Sequence, residues 1–247
     1  TVSLAGGWGE LRLGRDYTPQ FWNLTTFDPF GTNGIGTTQT LLGSAGGAVN
    51  TRASNTIGYF LPGNLGGFYG QAQYYLGENL KDGTAAEKDG TGAGFRVGYA
   101  AGPVNVAVAY SRTDYASTAT AGQITTFNVG GQWDFGVAKL MAHFNRDTVE
   151  TTAGDLDTNG WLIGTLVPVG AGEIRASYSQ SQQDFGTEAR GRKLALGYVH
   201  NLSKRTAVYT TVARVRNNGG ASFALGGSST GANTNSTGFD LGVRHSF

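Results

Sequence analysis

The chain ends in TGFDLGVRHSF, residues 237–247, and this stretch decides how the rest is read. Phe239, Leu241, Val243, His245 and Phe247 alternate with Asp240, Gly242, Arg244 and Ser246. Successive side chains of a strand point to opposite faces, so the stretch is a strand with one apolar, aromatic face and one polar face. A soluble sandwich strand alternates in the same way, but it seldom ends a chain on a bare aromatic.

The same alternation recurs upstream. Val104, Val106, Val108 and Tyr110 share one face, and so do Phe127, Val129, Trp133 and Phe135, each set opposite small or polar residues. Short turns fall at residues 6–7, 62–66, 101–103 and 136–137, near Gly170, and at 201–205. Longer polar connections fall at 18–54, 78–91, 116–122, 147–158, 182–191 and 217–236. Long and short connections therefore alternate, which is the mark of an up-and-down membrane barrel. A soluble all-β protein has similarly spaced strands but polar outer faces. Trp133, Phe135, Tyr198 and Tyr209 lie near short-turn ends, where an interfacial aromatic girdle belongs. The expected fold class is all-β, an antiparallel up-and-down transmembrane β-barrel.

Bulk composition agrees. The 247 residues are 39% hydrophobic and 14% charged, with 41 Gly, no Cys and a net charge of +1. Gly, Thr, Asn and aromatics suit many strands and turns. No run approaches the ~18 apolar residues of a membrane-spanning helix, which leaves a barrel open because barrel strands carry only alternate apolar residues. Without cysteine there is no disulfide framework or thiolate metal site. Near-neutral charge gives no support to nucleic-acid binding.

The terminal strand resembles the closing strand of Gram-negative outer-membrane barrels, and its GVRHSF ending resembles that of the trimeric general porins of the betaproteobacterial and neisserial branch. GELRLGRDYTP (residues 9–19) is similar to the strand that leads into the constriction loop of that family. RASNTIGY (52–59), FGVAKL (135–140) and GYVHNLSKRT (197–206) resemble its later strands and turns, in collinear order along residues 1–247. The resemblance implies a sixteen-stranded barrel, of which this chain supplies about thirteen strands. Bacterial single-chain barrels have even strand numbers, so the expectation is one N-terminally truncated porin domain over residues 1–247. It also implies a homotrimer, contact with outer-membrane lipid and lipopolysaccharide, and recognition of the closing strand, through Phe247, by the barrel-assembly machinery.

In that family the third extracellular loop folds into the lumen, and by position residues 18–54 are that loop. Asp28 is its only acidic residue. The resemblance implies that an acid here faces basic residues of the opposite wall, which Arg52 and Arg15 match. For Asp28 the plain alternative is a solvated carboxylate or an Asx turn before Pro29. For Arg15, strict alternation points toward lipid, and a bend at Gly14 is needed to redirect it. Alternation alone puts seven bases in the lumen (Arg12, Arg96, Lys139, Arg175, Lys193, Arg214 and Arg244) against Glu10, Asp134, Glu173 and Asp240. Basic linings favour anions.

No enzymatic site is expected. His200 and His245 sit at strand ends on the lipid-side parity, and His143 points into a wet lumen with no nucleophile in a recognisable motif. Three scattered His and no Cys offer no metal-ligand spacing, and no cofactor is implied. The expected function is an outer-membrane porin, a passive diffusion channel for small hydrophilic solutes and ions with a weak anion preference. A substrate-specific channel and a non-conducting barrel adhesin or anchor remain the alternatives.

Overall fold

The computed structural model describes residues 1–42, 51–117, 120–151, 154–184 and 188–247. Alternation becomes thirteen strands: β1 (Val2–Gly6), β2 (Gly9–Tyr17), β3 (Arg52–Phe60), β4 (Phe68–Tyr75), β5 (Gly92–Ala101), β6 (Val104–Ser117) and β7 (Thr120–Asp134), then β8 (Lys139–Thr151), β9 (Gly154–Val169), β10 (Gly172–Asp184), β11 (Glu188–Asn201), β12 (Thr206–Asn218) and β13 (Ser236–His245). They form one sheet in chain order, each strand hydrogen-bonded to its sequence neighbours.

Each strand has two unlike faces. Phe95, Val97 and Tyr99 of β5 are exposed while Arg96 between them is buried. On β11, Leu194 and Leu196 are exposed at about 60% while Lys193 is buried. Register keeps the faces aligned: Leu194 pairs with Arg214 and Leu196 with Val212, whereas Lys193 pairs with Val215. A water-soluble sheet has the opposite arrangement. Exposing apolar side chains this consistently is favourable only where the surroundings are apolar.

Three connections differ from expectation. Residues 116–122, 147–158 and 182–191 are for the most part not loops, because β6 to β11 run on through them. Asp184 still pairs with Glu188 at the far end of β10 and β11. Hydrophobic alternation stops before the hydrogen-bond ladder does, since the ladder needs only backbone groups. Inside the connection 18–54, residues 19–26 form a helix, α1 (Pro19–Thr26), and Thr38–Thr40 a single 3-10 turn capped by Thr37. Residues 43–50 of that connection lie outside the described residues.

Contacts group the chain into two compact units. The first comprises Thr1–Leu24, Gly43–Gly130 and Asn145–Thr158. In it Tyr75 is fully buried with its hydroxyl 2.7 Å from Thr113 Oγ1, and Tyr17 stacks on Phe21 of α1. The second comprises Thr25–Leu42, Gly131–Phe144 and Asn159–Phe247. There the chain after α1 lies flat against strands: Leu42 meets β9 at Gly160 and Pro29 meets it at Gly164, where any Cβ would collide with them. Those glycines are the space that lets the segment pack so closely.

Candidate functional site

Two sets of polar contacts tie the 18–42 segment to the buried, polar faces of the strands. In the first unit, Asn23 of α1 is completely buried. Its Nδ2 donates to the Ala107 carbonyl (3.2 Å) and to Asn128 Oδ1 (2.9 Å), and its Oδ1 accepts from Arg96 Nε (3.0 Å). Asn128 donates in turn to the Gln20 carbonyl and to Asn145, which donates to Asp147. Thr126 donates to the same Asp147 at 2.6 Å. Arg96 also reaches the Tyr69 hydroxyl and lies over that ring. A neutral amide that both donates and accepts suits a helix docked without a carboxylate of its own.

In the second unit Asp28 organises the segment. Its Oδ1 accepts from Phe30 N–H (2.8 Å) and its Oδ2 from Thr38 N–H (2.7 Å). The first bond is the Asx turn that Asp before Pro predicts, but the carboxylate is buried rather than solvated. Burial pushes the Asp28 carboxyl above the usual carboxylate range, against the opposing pull of the two N–H groups and of Lys193. Lys193 is itself buried and donates to the Thr37 carbonyl. Asp240 Oδ2 accepts from Ile35 N–H at 3.1 Å. Between this segment and β10–β13 lies a cavity of about 410 Å³, lined by Phe30, Asn33, Arg175, Tyr209, Asp240 and Arg244 among others. Tyr209 thus faces the polar side instead of joining an aromatic girdle.

Arg12, Glu10, Arg96, Lys139, Arg175, Lys193 and Arg244 occupy polar-face positions. Arg12 bridges Glu10 and Asp16, each at 2.9 Å. Arg175 holds Glu173 at 2.9 Å, and Lys139 approaches Asp134 at 3.8 Å. Two expected site residues lie on the other face. Arg214 pairs with Leu194 and shares the exposed face of Val212, because even-numbered residues of β12 point outward there. Arg15 stays on the exposed face of Leu13 and donates to Ser54 Oγ. Gly14 does take φ +122, with a register shift between Gly14 and Asp16, but it is Asp16 that turns inward. Arg52 is exposed at the start of β3, its guanidinium stacked over Tyr17 and 2.7 Å from the Tyr17 hydroxyl.

The charge balance therefore changes. Arg214 leaves the polar face, and Asp16 and Asp147, both buried there, join it. The basic excess read from alternation is gone. What differs is pairing: the acids are engaged by arginine, lysine, hydroxyl, amide or backbone N–H groups, whereas Arg244 is exposed with no bonded partner among the described residues. Sequence reading missed Asn23, Asn128 and Asn145, since nothing in an isolated asparagine marks it as a buried anchor.

His143 is enclosed rather than wetted, with neither ring nitrogen hydrogen-bonded among the described residues. His200 bonds to Tyr198 and His245 to Thr206. Among the described residues no cluster of His, Asp or Glu is fit to hold a metal.

A family model described as Gram-negative porin matches residues 1–220. The chain belongs to the Gram-negative porin family. It is 35% identical to outer membrane porin protein 32 of Delftia acidovorans, over all of this chain and 73% of that protein. It is 26% identical to an outer membrane porin of Bordetella pertussis, over 97% of this chain and 69% of the relative. Among solved structures it is similar to an anion-selective porin from Comamonas acidovorans, with TM-score 0.91 and 33% identity, covering this chain fully and 77% of that one. The sheet is thus that of a porin barrel, the protein resides in the outer membrane, and its activity is that of a channel. For a porin the exposed apolar face meets lipid and the buried polar face lines the lumen.

Proposed function

We propose that this porin passes small hydrophilic solutes by passive diffusion, prefers anions, and works as a homotrimer without catalysing a reaction. The observation that carries the reading is the unequal pairing of lumen charges. Carboxylates there are bonded to arginines, a lysine or backbone amides, while Arg244 projects unpaired beside Arg175 into the cavity under the inward segment. An unpaired guanidinium attracts an anion in transit, whereas a carboxylate already holding an arginine presents little field. The similarity to an anion-selective porin supports the same direction. Arg96 and Lys193 contribute positive charge from the wall against which the segment rests, and Arg52 contributes at the start of β3. Asp28, by contrast, is assigned to holding the segment's shape.

Single-channel recording in a planar bilayer under a salt gradient tests this. The reversal potential should favour anions, with openings in groups of three, and Arg244→Glu should move it toward cations. A wild-type reversal potential on the cation side overturns the preference, and silence from folded protein overturns the channel. Cross-linking to a limit of three subunits checks the trimer.

A further inference from the structure

Asparagine is among the chemically labile residues, and most so when glycine follows it. The glycine nitrogen can then attack the asparagine side-chain Cγ, because no Cβ stands in the way and the glycine backbone turns freely. The reaction needs a glycine N–H free of hydrogen bonds and an asparagine in contact with water. Three such pairs occur in this chain: Asn33–Gly34, Asn159–Gly160 and Asn218–Gly219.

Their surroundings differ. Gly160 lies mid-strand in β9, between β8 and β10, so its amide is held in the ladder, and Leu42 packs against it. Asn218 is exposed at the end of β12, still paired with Arg190, and it does not line the cavity under the inward segment. Asn33 stands in the turned part of that segment and does line the cavity. Both Asn33 and Gly34 are exposed, and Gly34 takes φ +66. The amides on either side are engaged, Asn33 N–H by the Phe30 carbonyl and Ile35 N–H by Asp240 Oδ2. Gly34 N–H between them has no partner among the described residues. Asn33 Nδ2 donates to the Gly31 carbonyl at 2.8 Å, but this bond is exposed. Water replaces such a bond at small net cost, which lets Cγ swing toward Gly34.

We infer that Asn33–Gly34 is a site of spontaneous deamidation that places a carboxylate in the cavity shared with Arg175 and Arg244. Gly34 N gives its proton to hydroxide and bonds to Asn33 Cγ. The Cγ–Nδ2 bond breaks, and ammonia leaves with a proton taken from water. A second water then opens the five-membered imide at one of its two carbonyls. One opening yields aspartate; the other yields isoaspartate, with an extra methylene in the main chain. Water is the one co-reactant consumed. Either product adds a negative charge where Arg244 is the cation without a bonded partner, and pairing with it cancels field that draws anions. That consequence rests on the anion preference proposed above, whereas the modification does not. The isoaspartate form also lengthens the chain before Ile35, which pulls the Ile35 amide off Asp240.

The test ages the folded, detergent-solubilised protein in warm, mildly alkaline buffer and maps its peptides by mass spectrometry. The peptide carrying Asn33 should gain the mass of an NH2 replaced by OH and separate into aspartate and isoaspartate forms, while the peptide carrying Asn159 stays unchanged. Asn33→Gln should suppress the gain, because the longer side chain must close a six-membered ring. In planar bilayers under a salt gradient, aged wild type should move its reversal potential toward that of Asn33→Asp, on the cation side of fresh wild type. Aged Asn33→Gln should hold the value it had when fresh, even where Asn218 has been converted. No mass gain at Asn33, or a gain at Asn159 just as fast, overturns the site. A gain at Asn33 with no shift in reversal potential, in aged wild type and Asn33→Asp alike, overturns the pairing with Arg244. Mass is read without any current, so failure of the site is distinguishable from failure of the channel reading.

Discussion

Asp28 illustrates how one side chain shapes a loop. Its two oxygens satisfy the amides of Phe30 and Thr38, and Lys193 stands close by, holding the Thr37 carbonyl. Asp28→Ala leaves both amides buried and unpaired, at roughly 1–3 kcal/mol each. The variant should show rapid proteolysis within residues 27–42 while the strands stay folded; wild-type resistance would contradict this account. Lys193→Met leaves the Thr37 carbonyl without its donor and should cost about 1–3 kcal/mol. In a double-mutant cycle with Asp28→Asn the two effects should fall short of additive. pH follows from the same burial. The folded carboxyl holds its proton more tightly than the unfolded one. Its stabilising contribution is therefore complete below the ordinary carboxylate pKa and declines as pH rises through the raised folded value. Hydrogen-exchange protection of the Thr38 amide, corrected for intrinsic rates, should fall across that window in wild type and stay flat in Asp28→Asn. Protection that grows with pH would sink the assignment.

At the scale of an element, α1 is too short to be stable alone and is held by its partners. Asn23 supplies three of its hydrogen bonds, to Arg96, Asn128 and the Ala107 carbonyl. Asn23→Ala should release the helix while leaving the sheet intact, read as faster quenching of Trp22 and as flickering open-channel current. A steady current identical to wild type would show that the helix is held by something else. The strand extensions make a second, separate prediction. Backbone amides of residues 142–151 and 174–183 should exchange slowly, because they belong to β8 and β10 rather than to loops. Loop-like exchange over residues 147–151 would restore the shorter strands that hydrophobic alternation suggests.

Across the molecule, the proposed anion preference rests on which charges remain unpaired rather than on how many there are. Arg214→Gln should leave the reversal potential unchanged because the side chain faces away from the lumen, whereas Arg244→Glu should shift it. Equal shifts from both would mean that the face assignment of β12 is wrong. Outer-face and inner-face arginines look alike in sequence, and register separates them.

The sequence by itself determined the sheet, its strand order and its two faces. Phe239, Leu241 and Val243 alternating with Asp240 and Gly242 are enough, because the side-chain period of a strand is two and needs no tertiary information. It also determined most polar-face residues, Arg96 and Lys193 among them, by the same parity. Strict parity already turns Arg15 toward lipid, and the pore role implied for it by the resemblance needs a bend at Gly14, where the register shift turns Asp16 inward instead. Arg214 shares the uninterrupted outward parity of Val212, which the assignment to the lumen overlooks. Strand ends were illegible for another reason, since a ladder of backbone hydrogen bonds continues after the hydrophobic signal stops. Only the tertiary structure decided the anchors. Asn23 reaches Asn128, and Asp28 and Thr37 meet Lys193, across long stretches of chain, and no local pattern encodes a contact between residues that folding alone brings together.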